Sequence, residues 1–175
     1  MFKRMLNTRS LTLGAMIAAL YAALTLMLPV LSYGAGTGWE CRISEALTIL
    51  PLLFPEAIPG LTLGCLISNL LSPVGVPDIV FGTLATLLAS VVTWQLREKP
   101  LLAILSPVVF NGLIVGTMLS VMYGLPLFYT MLQVAAGEIV AVAAGYLLYQ
   151  MLLRSGLKLP GIQAVNTASY KKKDM

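Results

Sequence analysis

Histidine is absent from this 175-residue chain, cysteine occurs twice, and charged residues make up only 10% of it. Each shortage removes a class of function. Without histidine, the imidazole acid-base chemistry and the ligand sets typical of zinc and haem sites are excluded. Cys41 and Cys65 form no CxxC pair and read as unpaired, small apolar residues. A soluble domain carries about a quarter charged residues, whereas this chain is 58% hydrophobic with a mean hydropathy of +0.90. It reads as an all-α integral membrane protein. Apolar segments fill nearly everything between Leu11 and Leu153, so no soluble catalytic or nucleotide-binding domain is expected, and any energy source must sit on another chain.

Six apolar segments emerge: Leu11 to Leu31, Ile43 to Phe54, Glu56 to Leu71, Asp78 to Leu96, Leu101 to Tyr123 and Leu127 to Leu153. A span needs roughly 20 residues, so four are long enough. The second and third, bounded and interrupted by Pro51, Pro55 and Pro59, are expected to be short, tilted or broken, as segments lining a cavity often are. The first run follows Lys3, Arg4 and Arg9 but is too long for a signal peptide, and it reads as a transmembrane helix.

Six crossings would place both termini on one side. With both in the cytoplasm, Lys3, Arg4, Arg9, Arg97, Lys99, Arg154, Lys158, Lys171, Lys172 and Lys173 fall inside, which leaves Arg42 as the one basic residue outside. Residues 1–10 then form a basic cytoplasmic N-terminus, 11–153 the six-helix membrane domain, and 154–175 a basic cytoplasmic tail, expected to be disordered and held near anionic lipid. The longest external loop, Ser32 to Arg42, holds Gly34, Gly36 and Gly38 and suits either a lid or a flexible connection.

Three of the eighteen charged residues, Glu40, Arg42 and Glu45, lie within the run Trp39 to Glu45. Ions at a membrane boundary are expensive and usually functional. Glu45 and Asp78 each begin an apolar helix, where a carboxylate complements the helix dipole; that explanation suits Asp78, whereas Glu45 has Arg42 one turn away as a partner. Glu40 is expected to face solvent and Cys41 to be incidental. Trp39 suits an interfacial belt or stacking on a planar ligand, and Asn69 could join the cluster or cap a broken helix. Glu138 lies eleven residues beyond Leu127, about 16 Å along the helix, near mid-membrane. Asn111 and Glu138 each stand one step from a small-residue face, Gly112-x-x-x-Gly116 and Gly137-x-x-x-Ala141-x-x-x-Gly145. Ala15, Ala19 and Ala23 form another such stripe on the first helix, with Ala18 and Ala22 beside it, suited to internal packing or to a partner.

The runs Arg42-Ile43-Ser44-Glu45-Ala46-Leu47-Thr48, Phe54-Pro55-Glu56-Ala57-Ile58-Pro59-Gly60, Pro77-Asp78-Ile79-Val80-Phe81-Gly82 and Asn111-Gly112-Leu113-Ile114-Val115-Gly116 resemble the QueT family over about Thr8 to Leu153. These are substrate-binding (S) components of energy-coupling factor transporters, assigned to uptake of queuosine precursors. Cys41 and Glu40 depart from the expected pattern. The resemblance implies a six-helix S component in a bacterial plasma membrane, with no cofactor. It would capture a deazaguanine from outside and associate with a transmembrane coupling protein and two ATPases. It also implies that Ala15, Ala19 and Ala23 contact the coupling protein. A carboxylate can accept the ring NH and amino group of a deazaguanine, and an amide can read the adjacent carbonyl. Arg42, Glu45, Asn69, Asn111 and Glu138 are therefore expected to converge beneath Trp39. The competing readings are an S component for another planar vitamin such as riboflavin, and an assembly subunit that binds no small molecule. A membrane enzyme would need a nucleophile with a base, and the lysines sit in cytoplasmic or tail positions.

Overall fold

The computed structural model describes residues 7–33 and 40–155, and the described chain is helical. Helix α1 runs Thr8–Met27 and is followed by a single turn, Pro29–Ser32, set off by Leu28, which the proline behind it holds out of the helical region. Helix α2, Ile43–Leu52, is a 3-10 helix with Pro51 inside it, and α3 is Ala57–Asn69. Helices α4 (Asp78–Gln95), α5 (Pro100–Tyr123) and α6 (Leu127–Arg154) follow.

Helices α1, α4, α5 and α6 are long and apolar enough to cross a membrane, whereas α2 and α3 have only 10 and 13 residues. The division into four long and two short segments follows from the prolines. The 3-10 geometry of α2 rises about 2 Å per residue against 1.5 Å in an α-helix, so ten residues reach about 20 Å into the protein.

Close approaches at small residues hold the helices together. A Cβ on Gly60 would come within 2.7 Å of the Gly14 carbonyl, and one on Gly64 within 2.7 Å of the Ala18 carbonyl, so α1 and α3 touch backbone to backbone. Gly112 and Gly116 seat α5 against Ala135 and Met131 of α6 in the same way. The Gly137 and Gly145 face of α6 receives a different partner. A Cβ on Gly137 would fall 1.7 Å from the Glu40 carbonyl oxygen, and one on Gly145 2.4 Å from that of Ala46. That glycine face therefore receives the chain entering α2 at Gly137 and α2 itself at Gly145.

Polarity is arranged inside out. Arg42, Glu45, Asn69, Asp78, Thr86, Asn111 and Glu138 are buried, while Met16, Leu20, Val121, Phe128, Leu132 and Val140 are exposed. An apolar exterior around a polar interior is the arrangement hydrocarbon solvent demands.

Candidate functional site

Two helices depart from α geometry where they carry polar residues. Asp78–Gly82 and Asn111–Val115 are π turns, which place Asp78 and Asn111 at local bulges in α4 and α5. Gly82 has no side chain to obstruct the bend: a Cβ there would sit 2.6 Å from Asp78 Oδ1 and 2.7 Å from Asn69 Nδ2.

Arg42, in extended conformation just ahead of α2, uses this arrangement. Its Nη2 donates to Asp78 Oδ2 at 2.9 Å and to Oδ1 at 3.2 Å, its Nε donates to the Ser32 carbonyl at 3.2 Å, and its guanidinium lies 5.3 Å from the Tyr33 ring centroid. Asn69 Nδ2 donates to the Asp78 carbonyl at 2.9 Å, fixing that turn. Arg42 therefore pairs with Asp78 rather than with Glu45. Arg42, the extended residue before α2, reaches Asp78 at the start of α4, whereas Glu45, inside α2, reaches Tyr21 of α1 and Thr86 further along α4. Asp78 does occupy the first turn of its helix, but its buried carboxylate also balances the buried cation. The isolated Asp78 in the sequence carried no sign of this long-range pairing.

Glu45 is 1% exposed. Its Oε1 accepts from the Tyr21 hydroxyl and from Thr86 Oγ1, the latter at 3.2 Å, while Oε2 accepts no hydrogen bond. Glu138 repeats the asymmetry: Oε1 accepts from Asn111 Nδ2 at 3.0 Å and Oε2 has no partner. Buried oxygens without donors are uncommon in native interiors. Asn111 spends one of its two amide N–H donors on Glu138.

Glu40, Arg42, Glu45, Asn111 and Glu138, with Val115 and Val134, line one narrow cavity of about 10 Å³, room for about one water. Glu40, half-buried, forms part of this wall. Loss of hydration pushes its carboxyl up to about 7, against the pull of the Arg42 guanidinium. The predicted cluster thus divides. Arg42, Glu45, Asn111 and Glu138 meet at the cavity, while Asn69, fully buried, stands behind Asp78 and does not line it. Trp39 and the glycine-rich loop lie outside the described residues, as do most of the N-terminal segment and the tail. Cys41 and Cys65 are both free, and Thr86 Oγ1 lies 3.3 Å from Cys65 Sγ. Tyr21 and Thr86 were missed because single hydroxyls in apolar runs carry no spacing signal.

On α1, Ala18 and Ala22 are buried whereas Ala15, Ala19 and Ala23 are exposed. The outer stripe is therefore not used in packing within the described chain, and Ala15 borders an open groove of about 340 Å³ between α1 and α3.

The family model for the QueT transporter matches residues 11–154. No curated protein and no solved structure matches the chain.

Proposed function

We propose that this chain, which belongs to the QueT transporter family, is the substrate-binding component of an energy-coupling factor importer and captures a deazaguanine queuosine precursor from outside the cell. In this reading α2 and α3 complete six crossings of a bacterial plasma membrane with both termini in the cytoplasm. A transmembrane coupling protein and two ATPases supply the work. The exposed Ala15, Ala19 and Ala23 stripe meets the coupling protein, since small residues let a second helix approach closely.

The observation that carries the substrate reading is the pair of buried carboxylate oxygens without donors, Glu45 Oε2 and Glu138 Oε2, at one cavity. Asp78 balances the only buried cation among the described residues. The walls therefore favour a ligand rich in N–H donors. A deazaguanine presents a ring NH beside an amino group, and an aminomethyl substituent adds an ammonium. One glutamate takes the paired donors, the other takes the ammonium, and Asn111 holds Glu138 in place. Arg42 acts as wall and scaffold, and Asn69 supports it through Asp78. A bicyclic base is much larger than the cavity, so the walls part on binding.

Native mass spectrometry of the detergent-purified chain against deazaguanines and riboflavin tests this reading. A bound deazaguanine is expected, with Glu45→Gln and Glu138→Gln each weakening it at least tenfold. A mass shift with riboflavin alone would overturn the substrate, and binding of no small molecule would point to an assembly subunit. Glutamine variants that bind as tightly as the parent would remove the site assignment.

A further inference from the structure

We propose that Tyr21 and Thr86 are positioning residues that lock the Glu45 carboxylate so that it meets a ligand through Oε2 alone; the proposal rests on the ligand-site reading above. The terminal torsion of a glutamate is broad and roughly two-fold. An unrestrained Glu45 would therefore present either oxygen over a range of directions. Here two hydroxyls from different helices, Tyr21 on α1 and Thr86 on α4, donate to the same oxygen, Oε1. Both residues are fully buried. The other oxygen is left without a donor on a residue that lines the cavity.

The surroundings hold the two donors in place. Tyr21 is fully buried and its Cβ lies close against α3, where a Cβ on Gly64 would come within 2.8 Å of it. Thr25, one turn further along α1, shares a 2.7 Å hydrogen bond with Ser44, the residue before Glu45. Thr48 Oγ1 donates to the Glu45 carbonyl. Thr86 has one hydroxyl proton and lies within reach of both Glu45 Oε1 and Cys65 Sγ. The carboxylate is the stronger acceptor, so the proton goes to Glu45 and the Cys65 thiol can donate to the threonine oxygen. Neither Tyr21 nor Thr86 lines the cavity. Their effect on a ligand passes through Glu45, as a single acceptor direction fixed before binding, and that lowers the ordering cost of association.

The test is a binding cycle on the full chain in detergent, titrated with 7-aminomethyl-7-deazaguanine and, separately, with riboflavin. Tyr21→Phe and Thr86→Val should each weaken binding roughly five- to thirtyfold, the range for losing an orienting hydrogen bond. Thr86→Ser, which restores the hydroxyl, should bind within about twofold of the parent. In a Glu45→Ala background, Tyr21→Phe should have no further effect. The proposal is overturned if Tyr21→Phe binds like the parent, or if it weakens binding by the same factor with and without Glu45, which is the behaviour of a purely structural residue. If Glu45→Ala binds too weakly to titrate, the contrast between Thr86→Ser and Thr86→Val decides. A parent that takes riboflavin and no deazaguanine removes the substrate reading, and the same cycle measured with riboflavin still decides the roles of Tyr21 and Thr86. A parent that binds neither overturns both.

Discussion

Replacing Asp78 by asparagine keeps the shape of the side chain and removes the charge that balances Arg42. In the parent, the guanidinium donates to both carboxylate oxygens, at 2.9 and 3.2 Å, with both residues buried. Removing one partner of a buried ion pair costs about 3–5 kcal/mol, because the other charge is left uncompensated. Arg42 keeps the Ser32 carbonyl and the Tyr33 ring, so the lower end applies, about 3 kcal/mol. At about 2–4 °C per kcal/mol for a chain of this size, the unfolding midpoint should fall by roughly 6–12 °C. The assay is thermal unfolding in one detergent. The double variant Arg42→Met with Asp78→Leu should recover most of the loss, since an apolar pair of similar volume can replace a buried ion pair at little cost. It should also retain ligand binding within about fivefold, because Asp78 already engages the cation. An Asp78→Asn midpoint within about 1 °C of the parent, or a double variant no more stable than the single one, would refute the reasoning.

Gly137→Ala places a methyl where the Glu40 carbonyl oxygen now lies 1.7 Å from the Cβ position. The chain entering α2 must shift, at a stability cost of about 1–3 kcal/mol, and ligand affinity should drop at least tenfold. Gly14→Ala, whose Cβ would meet only the Glu56 carbonyl at 3.6 Å, is the control and should leave affinity unchanged. Ala19→Trp, on the exposed face of α1, should abolish co-purification with a coupling protein while leaving ligand affinity at the parent value. Glu40 holds its proton up to about pH 7 in the folded chain, whereas a carboxyl in the unfolded chain loses it near 4.3. Its contribution to stability is therefore full at low pH and is lost as pH rises through that window. Unfolding midpoints measured between pH 5 and 8 should fall less steeply for Glu40→Gln than for the parent.

Much of the architecture was legible because hydrocarbon solvent imposes simple rules. Long apolar runs must be helical, and the prolines at 51, 55 and 59 explain why α2 and α3 are short. Glu45, Asn111 and Glu138 stood out because polar residues in such runs are costly, and the structure brings all three to one cavity. The rule could not say which polar residue meets which. Asp78 looked like a helix-start residue and also anchors Arg42. Gly137 and Gly145 looked like a helix-helix face; Gly145 does seat α2 at Ala46, whereas Gly137 takes the backbone of Glu40, ahead of that helix.

From sequence alone, the membrane setting, the segment pattern and the candidate polar residues were determined, because transfer of charge and apolar surface depends on composition along the chain. Which oxygen is held and which is left without a donor was decided only by the tertiary structure. Tyr21, Thr86 and Glu45 are separated by 24 and 41 residues, and hydrogen bonds depend on distances and directions that spacing along a chain does not encode.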